Sequence, residues 1–189
     1  MENTPVLEQL VGRCKQAIAG DRAREDISTV MQALFEDPET LAATIPRFRD
    51  DEVATSPRGF RLGGEHICHQ STDLTVMVLD TLPGVIQPPH DHNMIAMIGV
   101  FEGCEQQRFW TRGQDGITPT TGRLLEAGEM MVLGERAIHA ISAPDHAPAR
   151  AIHVYLGDIT NAERSVLDPD TLDEHPMTSE RYDEFCRPA

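Results

Sequence analysis

Residues 84–103 read GVIQPPHDHNMIAMIGVFEG and contain a His-x-His motif formed by His90 and His92. Side chains at positions i and i+2 of an extended chain point to the same face, so both imidazoles can reach one metal ion. A His-x-His pair also arises often by chance, and it can be structural or solvent-exposed. A third histidine, His139, follows on a separate predicted strand, and we predict that these three side chains form one metal site.

The chain that follows residue 57 has the pattern of an all-β domain. Short apolar segments alternate there with clusters of glycine and proline, and no strand–helix alternation is visible. The apolar segments are residues 74–79, 95–101, 107–111, 130–133, 138–142 and 151–156. Many short strands separated by such turns predict a β-sandwich or barrel, and they argue against a parallel α/β sheet.

The first 57 residues have helical periodicity instead. Thr4-Pro5 and Asp37-Pro38 each combine an N-cap residue with a proline at the first helical position. A further helix is predicted to begin near Asp26, between these two. We expect the three helices to pack outside the barrel.

Length and composition favour a single globular domain of 189 residues, with 40% hydrophobic and 25% charged residues. We divide it into a helical part (residues 1–57), a β-barrel (58–160) and an acidic C-terminal tail (161–189) that we expect to be solvated. The net charge is −15, which argues against nucleic acid or an anionic membrane surface as a partner.

The N-terminus lacks the pattern of a signal peptide, and no apolar run approaches the roughly 20 residues that cross a bilayer. We therefore expect a cytoplasmic protein, as a monomer or a homodimer. The four cysteines contain no Cys-x-x-Cys pair and are expected to be reduced thiols.

Two segments together resemble the signature motifs of the cupin superfamily. Residues 84–103 have the spacing Gly-x5-His-x-His-x10-Gly, and residues 128–139 run from a glycine to the third histidine. The resemblance implies a mainly β fold, the cupin double-stranded β-helix or jelly-roll barrel. Cupins generally add a glutamate ligand in the first motif. Counted back from Gly103, that position is Ala96, which cannot coordinate a metal.

A narrower resemblance covers residues 74–156, about half the chain. This region looks like cysteine dioxygenase and the related thiol dioxygenases, which are cupins that lack the glutamate and bind iron(II) with three histidines. Residues 152–155, Ile-His-Val-Tyr, resemble the strand that carries the family's histidine and tyrosine beside the metal. The resemblance implies that Tyr155, oriented by His153, donates a hydrogen bond to bound oxygen or substrate. A purely structural His153–Tyr155 pair remains the alternative.

The reaction implied by this resemblance is the oxidation of a small thiol by dioxygen to a sulfinic acid. Fe(II) is the expected metal, although Ni or Zn can occupy such a site in a purified sample. Because a cupin fold does not fix an activity, two alternatives stay open. They are another metal-dependent cupin enzyme, such as a ring-cleaving dioxygenase or an isomerase, and a non-catalytic cupin that binds a small ligand.

The sequence departs from the cysteine dioxygenases at several positions. Ala151 replaces the serine that precedes the His–Tyr pair, and the cysteine that crosslinks to tyrosine in the animal enzymes would fall at or next to Ala96. The arginine that binds the substrate carboxylate should lie on the strand before residue 74. The nearest residues there are Glu65, His66 and Arg61.

Arg61 and His66 are therefore our candidate substrate-binding residues. Glu65 would repel a carboxylate, and His66 would attract one only when protonated. On this basis we predict a preference for a thiol other than cysteine, with an amine or a neutral group distal to the sulfur. Arg61 could still bind a carboxylate if its side chain reaches into the barrel.

Overall fold

The computed structural model describes residues 1–144 and 146–189 of the chain. Its helices are α1 (Pro5–Ile18), α2 (Ala23–Leu34), α3 (Pro38–Thr44) and α4 (Ser179–Phe185), and a 3₁₀ turn covers Asp50–Glu52. No helix in these two ranges has the length and apolar composition needed to cross a membrane.

The strands are numbered in chain order. They are β1 (Val53–Thr55), β2 (Arg61–Gln70), β3 (Thr75–Thr81), β4 (Val85–Ile86), β5 (His90–Asp91), β6 (Ala96–Glu102), β7 (Cys104–Gly113), β8 (Gly116–Pro119), β9 (Arg123–Glu126), β10 (Met130–Leu133), β11 (Ile138–Ser142), β12 (Ala149–Tyr155), β13 (Ser165–Leu167), β14 (Glu174–Pro176) and β15 (Arg187–Pro188).

The strands form two large sheets in which neighbouring strands pair antiparallel. The first sheet has the order β1-β2-β3-β12-β6-β10. The second has the order β14-β13-β5-β11-β7-β8, with β9 also paired to β7. A further two-stranded pair joins β15 to β4. This mainly β arrangement of antiparallel strands fits a jelly-roll, which confirms the predicted fold class.

The helical part packs on the outer face of the first sheet. Asp37 caps α3 as predicted by accepting a hydrogen bond from the backbone N–H of Thr40 (3.1 Å), whereas the Thr4 side chain makes no capping bond at α1. Buried side chains of the helices and strands form one core cluster: Leu7, Leu10, Cys14, Ile27, Met31, Phe35, Leu41, Ile45, Leu74, Val76, Val78, Met97, Phe101, Ile152 and Val154. A glycine is needed at Gly99 on β6, because a Cβ there would lie 2.4 Å from the ring of Phe35.

Strand β12 shows how the first sheet uses its two faces. Ile152 and Val154 belong to the cluster under the helices, while Ala151 and Tyr155 belong to a second apolar cluster inside the barrel. Alternation along the strand places His153 on the same inner face as these two residues. The strand therefore carries the predicted His–Tyr pair into the barrel.

The acidic tail is not a solvated appendage, contrary to our expectation. Its strand β13 pairs with β5, and β15 pairs with β4. Val166 and Leu167 are fully buried, and Phe185 and Cys186 are nearly so. Most of the charged residues between them face solvent, with buried Asp183 as an exception, which is why the composition of this segment concealed its apolar contacts.

Arg150 on β12 joins the helical part to the barrel. Its guanidinium is fully buried and donates to Glu102 (2.9 Å) and to the backbone carbonyl oxygens of residues 45 and 46, at the end of α3 (3.0 and 2.7 Å). It also lies 3.4 Å from Asp80 and 4.8 Å from the ring centre of Phe101. One cation therefore satisfies acceptors on three separate elements.

Arg150→Met should lower the free energy of unfolding by about 3–5 kcal/mol, since the change leaves buried acceptors and Asp80 without their cation. Urea denaturation followed by circular dichroism measures the loss. Arg123→Met is the matched control, because Arg123 forms an exposed ion pair with Glu129 that should contribute only about 0–1 kcal/mol. Equal stability of the two variants would show that Arg150 does not join the two parts.

Candidate metal centre

The three motif histidines come from neighbouring positions in the second sheet. His90 lies on β5 and is paired in register with His139 on β11, while His92 follows β5 directly. All three side chains are buried, with exposed fractions of 7%, 4% and 1% for His90, His92 and His139. The fold therefore brings together the histidines that the sequence predicted.

The three imidazoles have the geometry of a metal-binding group. One nitrogen from each residue lies within 4.8 Å of the others, and Nε2 of His139 is 3.2 Å from Nε2 of His92. Nδ1 of His90 donates to the carbonyl oxygen of Pro88 (2.9 Å), and Nδ1 of His139 donates to Oε1 of Gln107 (2.7 Å). Because these acceptors hold the ring proton on Nδ1, Nε2 of His90 and His139 keeps its lone pair for a metal. The site fits a divalent metal ion.

The histidines are neutral at physiological pH. Burial lowers the pKa of His90 to about 4, and burial together with the neighbouring imidazoles lowers the pKa values of His92 and His139 well below the usual range. Metal binding needs unprotonated nitrogens, so a cluster of this kind does not have to release protons before it binds an ion.

The predicted His153–Tyr155 pair lies beside this cluster. Nδ1 of His153 is 2.9 Å from the Tyr155 hydroxyl, and the Tyr155 ring centre is 5.0 Å from that of His92. Burial lowers the pKa of His153 to about 3 and raises the pKa of Tyr155 above its usual range, so both groups are neutral. Nε2 of His153 has no hydrogen-bond partner within residues 1–144 and 146–189, and Ala151, on the same face of β12, cannot supply one.

A cavity of about 560 Å³ opens onto the histidines. The three motif histidines, His153 and Tyr155 all line it. Its volume is in the range typical of small-molecule sites. The cavity therefore combines a metal-binding group with polar side chains and an opening for a ligand.

Arg61 and His66 do not line this cavity, so the structure does not support our candidate substrate-binding residues. The side chain of Arg61 is exposed and pairs with Asp50 (2.9 Å). Nε2 of His66 lies 2.8 Å from the side-chain oxygen of Asn3. His66 is adjacent to Glu65, which lines the cavity, so strand alternation turns the histidine to the opposite face.

Arg164 is a cavity residue that the sequence analysis missed. It is half-buried, lines the cavity, and its guanidinium makes no hydrogen bond or ion pair with any described residue. Burial is the main cause of the low pKa values of His90 and His92, and the charge of Arg164 lowers them further. We had assigned this residue to the solvated tail, because no local pattern in the sequence indicates that the segment after it pairs with β5.

Glu65 and Tyr182 complete the polar lining on the side facing Arg164. Burial raises the pKa of Glu65, and the positive charge of Arg164 opposes that rise. Tyr182, on α4, donates a hydrogen bond to Oε1 of Gln87, and its ring centre lies 6.1 Å from that of His90. One guanidinium, two phenols and three carboxyl groups (those of Glu65, Asp80 and Asp183) therefore line the cavity together with the histidines.

Comparison with solved structures finds matches to parts of this chain, among them oxalate decarboxylase and oxalate oxidase. No family model matches the chain. A tryptophan-to-tyrosine variant of Bacillus subtilis oxalate decarboxylase has a TM-score of 0.45 and 15% identity, over 61% of this chain and 30% of that one. A recombinant oxalate oxidase in complex with glycolate has a TM-score of 0.41 and 16% identity, over 50% of this chain and 51% of that one.

A conserved protein of unknown function from Streptococcus pyogenes matches with a TM-score of 0.42 and 16% identity, over 50% of this chain and 74% of that one. The matched region covers about a third to a half of the oxalate decarboxylase and oxalate oxidase chains. Similarity at this level assigns neither an activity nor a substrate.

His92→Ala should abolish most metal binding, because it removes one of three converging nitrogens. Metal analysis of the purified protein after loading with Fe(II) under nitrogen gives the stoichiometry, which we expect to be near one in the native chain. His66→Ala is the control, since His66 is outside the cavity and should leave the stoichiometry unchanged. Full metal retention by His92→Ala would exclude the three-histidine site.

We predict that Tyr155 is not covalently linked to a cysteine. Register places Ala96 on β6 directly opposite Tyr155, so the family's position for the crosslinking cysteine holds a methyl group. Peptide mapping of aerobically purified protein should recover Tyr155 in an unlinked peptide. Ala96→Cys is the comparison variant, in which a loss of two hydrogens becomes possible. The same loss in the native protein would contradict the prediction.

Proposed function

We propose that this protein is an iron(II)-dependent dioxygenase that oxidises the sulfur of a small thiol to a sulfinic acid. One observation carries the proposal: the cavity holds three histidines without a carboxylate ligand, and the His153–Tyr155 pair lies beside them. The overall reaction adds both atoms of dioxygen to the thiol sulfur, so the sulfur is oxidised and dioxygen is reduced with no further co-reactant.

Iron(II) held by three neutral imidazoles would supply open coordination positions and a positive charge that favours a thiolate over a thiol. The absence of a carboxylate at Ala96 supports this assignment, because no anionic protein ligand would then offset that charge. Non-polar residues of the barrel interior, Ile98, Val100 and Leu133 among them, are buried in one apolar cluster with Tyr155.

Tyr155 is the residue placed to donate a hydrogen bond to a ligand at the histidines. Its phenol is neutral, and His153 is the only hydrogen-bond partner that the described residues provide for it. A neutral imidazole with its proton on Nδ1 donates to the phenol oxygen, which leaves the phenol proton free to point into the cavity. His153 thereby orients the Tyr155 hydroxyl.

Arg164 is our candidate for binding a carboxylate on the substrate. A half-buried guanidinium with no protein partner favours an anionic ligand, and its planar fork can give two charge-assisted hydrogen bonds. Our expectation of a thiol without a carboxylate rested on Glu65 and His66, which stand where the resembled family has an arginine. Arg164 brings a cation to the cavity from a different part of the chain. We therefore propose a small thiol that carries a carboxylate.

Glu65 bears on the choice among such thiols. Its carboxyl group shares the cavity with Arg164 and can accept a hydrogen bond from an ammonium group of the ligand. Cysteine has both charged groups, 3-mercaptopropionate has only the carboxylate, and cysteamine has only the ammonium. The three thiols therefore separate the contributions of Arg164 and Glu65.

Oxygen uptake by the iron-loaded protein tests the proposed reaction. We expect uptake with at least one of these thiols and a product heavier than the thiol by two oxygen atoms, as measured by mass spectrometry. Catechol and simple sugars test the ring-cleaving and isomerase alternatives. Stoichiometric iron without oxygen uptake on any thiol would contradict the proposal while leaving the metal site intact.

Arg164→Ala should raise KM for 3-mercaptopropionate about 10- to 100-fold, since a hydrogen bond to a charged group contributes about 1.5–3 kcal/mol and 1.4 kcal/mol is tenfold. KM for cysteamine should change little. Arg61→Ala is the matched control, because this arginine is exposed outside the cavity, and both of its KM values should match the native protein. If KM for 3-mercaptopropionate rose in Arg61→Ala and not in Arg164→Ala, the carboxylate would have to bind at Arg61 instead.

A further inference from the structure

A chain of buried hydrogen bonds extends behind His139, away from the cavity. Nδ1 of His139 donates to Oε1 of Gln107 (2.7 Å), and Nε2 of Gln107 donates to Oε1 of Glu105 (2.6 Å). The second oxygen of Glu105 accepts from the hydroxyl of Thr81 (2.9 Å). The exposed fractions of all four side chains are 1% or less. Three strands, β3, β7 and β11, contribute to this chain.

Glu105 is an unusual residue for the interior of a barrel. It is fully buried, and no cation among residues 1–144 and 146–189 pairs with it. Burial raises its pKa to about 7, and the hydrogen bonds from Thr81 and Gln107 oppose that rise. A buried carboxyl group is costly unless it has hydrogen-bond donors, so its place between two donors needs a reason.

The reason lies in the ambiguity of the Gln107 amide. The oxygen and nitrogen of an amide have nearly the same shape, so a glutamine on its own can present either atom to His139. If Nε2 of Gln107 faced His139, Nδ1 of the imidazole would have to accept. The ring proton would then move to Nε2, where it points at His92, and His139 would lose the lone pair that a metal needs.

Ionised Glu105 removes this ambiguity, because a carboxylate only accepts hydrogen bonds and both of its partners, Thr81 and Gln107, donate to it. It binds the amide nitrogen of Gln107 and thereby turns the amide oxygen towards His139. The oxygen then holds the proton of His139 on Nδ1. Glu105 and Gln107 are two residues apart on β7, so their side chains share one face and the arrangement follows from the strand geometry.

We propose that Glu105 is a positioning residue of the metal centre, which acts through Gln107 to keep Nε2 of His139 unprotonated and aimed at the metal. The proposal rests on the metal site of the proposed function and not on the thiol reaction. Groups that orient a metal-binding histidine in this way typically contribute 10- to 100-fold to metal affinity.

Glu105→Gln tests the role with little change in shape. Its amide can donate as well as accept, so it no longer selects one orientation of Gln107. We expect the affinity for Co(II), measured by competition with a chelator, to fall about 10- to 100-fold relative to the native protein. Thr81→Val is the matched control, because it removes the other hydrogen bond to Glu105 and leaves the bond to Gln107. Its Co(II) affinity should stay within a few-fold of the native value.

The tautomer of His139 gives a second readout that a purely structural role would not change. In ¹⁵N spectra of the metal-free native protein, Nδ1 of His139 should carry the proton and Nε2 should not. In Glu105→Gln both tautomers should be present. Gln107→Leu, which removes the amide altogether, should also lose the single tautomer and serves if Glu105→Gln does not fold.

The outcomes separate this inference from the proposed function. If the native protein binds Co(II) and His92→Ala does not, the metal site is established whatever the role of Glu105. Unchanged Co(II) affinity and a single His139 tautomer in Glu105→Gln would then overturn the role of Glu105 alone. An equal loss of affinity in Glu105→Gln and Thr81→Val, with the tautomer unchanged, would also overturn it. Native protein that fails to bind Co(II) would overturn both.

Discussion

The carboxylate of Asp91 holds the short strand on which the candidate centre depends. Asp91 stands between His90 and His92, and its side chain points away from them because neighbouring strand residues alternate in direction. One oxygen accepts from the backbone N–H of Ser165 on β13 (2.8 Å), and the other accepts from Arg112 on β7 (2.6 Å). Strand β5 has only two residues, so its backbone pairing alone fixes little. The buried carboxylate attaches it to two neighbours.

This attachment explains why the C-terminal tail belongs to the site. Strand β13 pairs with β5, and Arg164 immediately precedes the residue whose N–H binds Asp91. The segment that stabilises the metal-ligand strand therefore also delivers the one unpaired guanidinium that the described cavity contains. The net charge of −15 is a sum over the whole chain, so it gives no indication of the positive charge of Arg164 in the cavity.

Local patterns in the sequence predicted the parts of the fold and site that depend on neighbouring residues. The His-x-His spacing, the helix starts at Pro5 and Pro38, and the shared face of His153 and Tyr155 all follow from the geometry of a single strand or helix. The position of His139 was also predicted, although from its motif spacing and not from strand periodicity.

Contacts between distant segments could not be predicted in the same way. Arg164 reaches the cavity because β13 pairs with β5, a contact across more than 70 residues that no local pattern encodes. Arg61 and His66 were chosen by their distance from the metal strand, but the register of β2 turns His66 outward and leaves Arg61 beside Asp50. No sequence pattern indicated a role for Gln107 or Glu105, because that role depends on the hydrogen bond between Gln107 and His139.

The two alanines that depart from the resembled families have different consequences. Ala96 lies opposite Tyr155 and leaves the centre with neutral ligands only, so charge for ligand binding has to come from residues such as Arg164 and Glu65. Nε2 of His153 has no hydrogen-bond partner among the described residues, and the methyl group of Ala151 cannot supply one. An unpaired lone pair is easier to bury than an unpaired N–H, so the proton of His153 is held on Nδ1. In our proposals, this tautomer of His153 leaves the Tyr155 hydroxyl free to donate into the cavity, and the Glu105–Gln107 chain keeps Nε2 of His139 unprotonated.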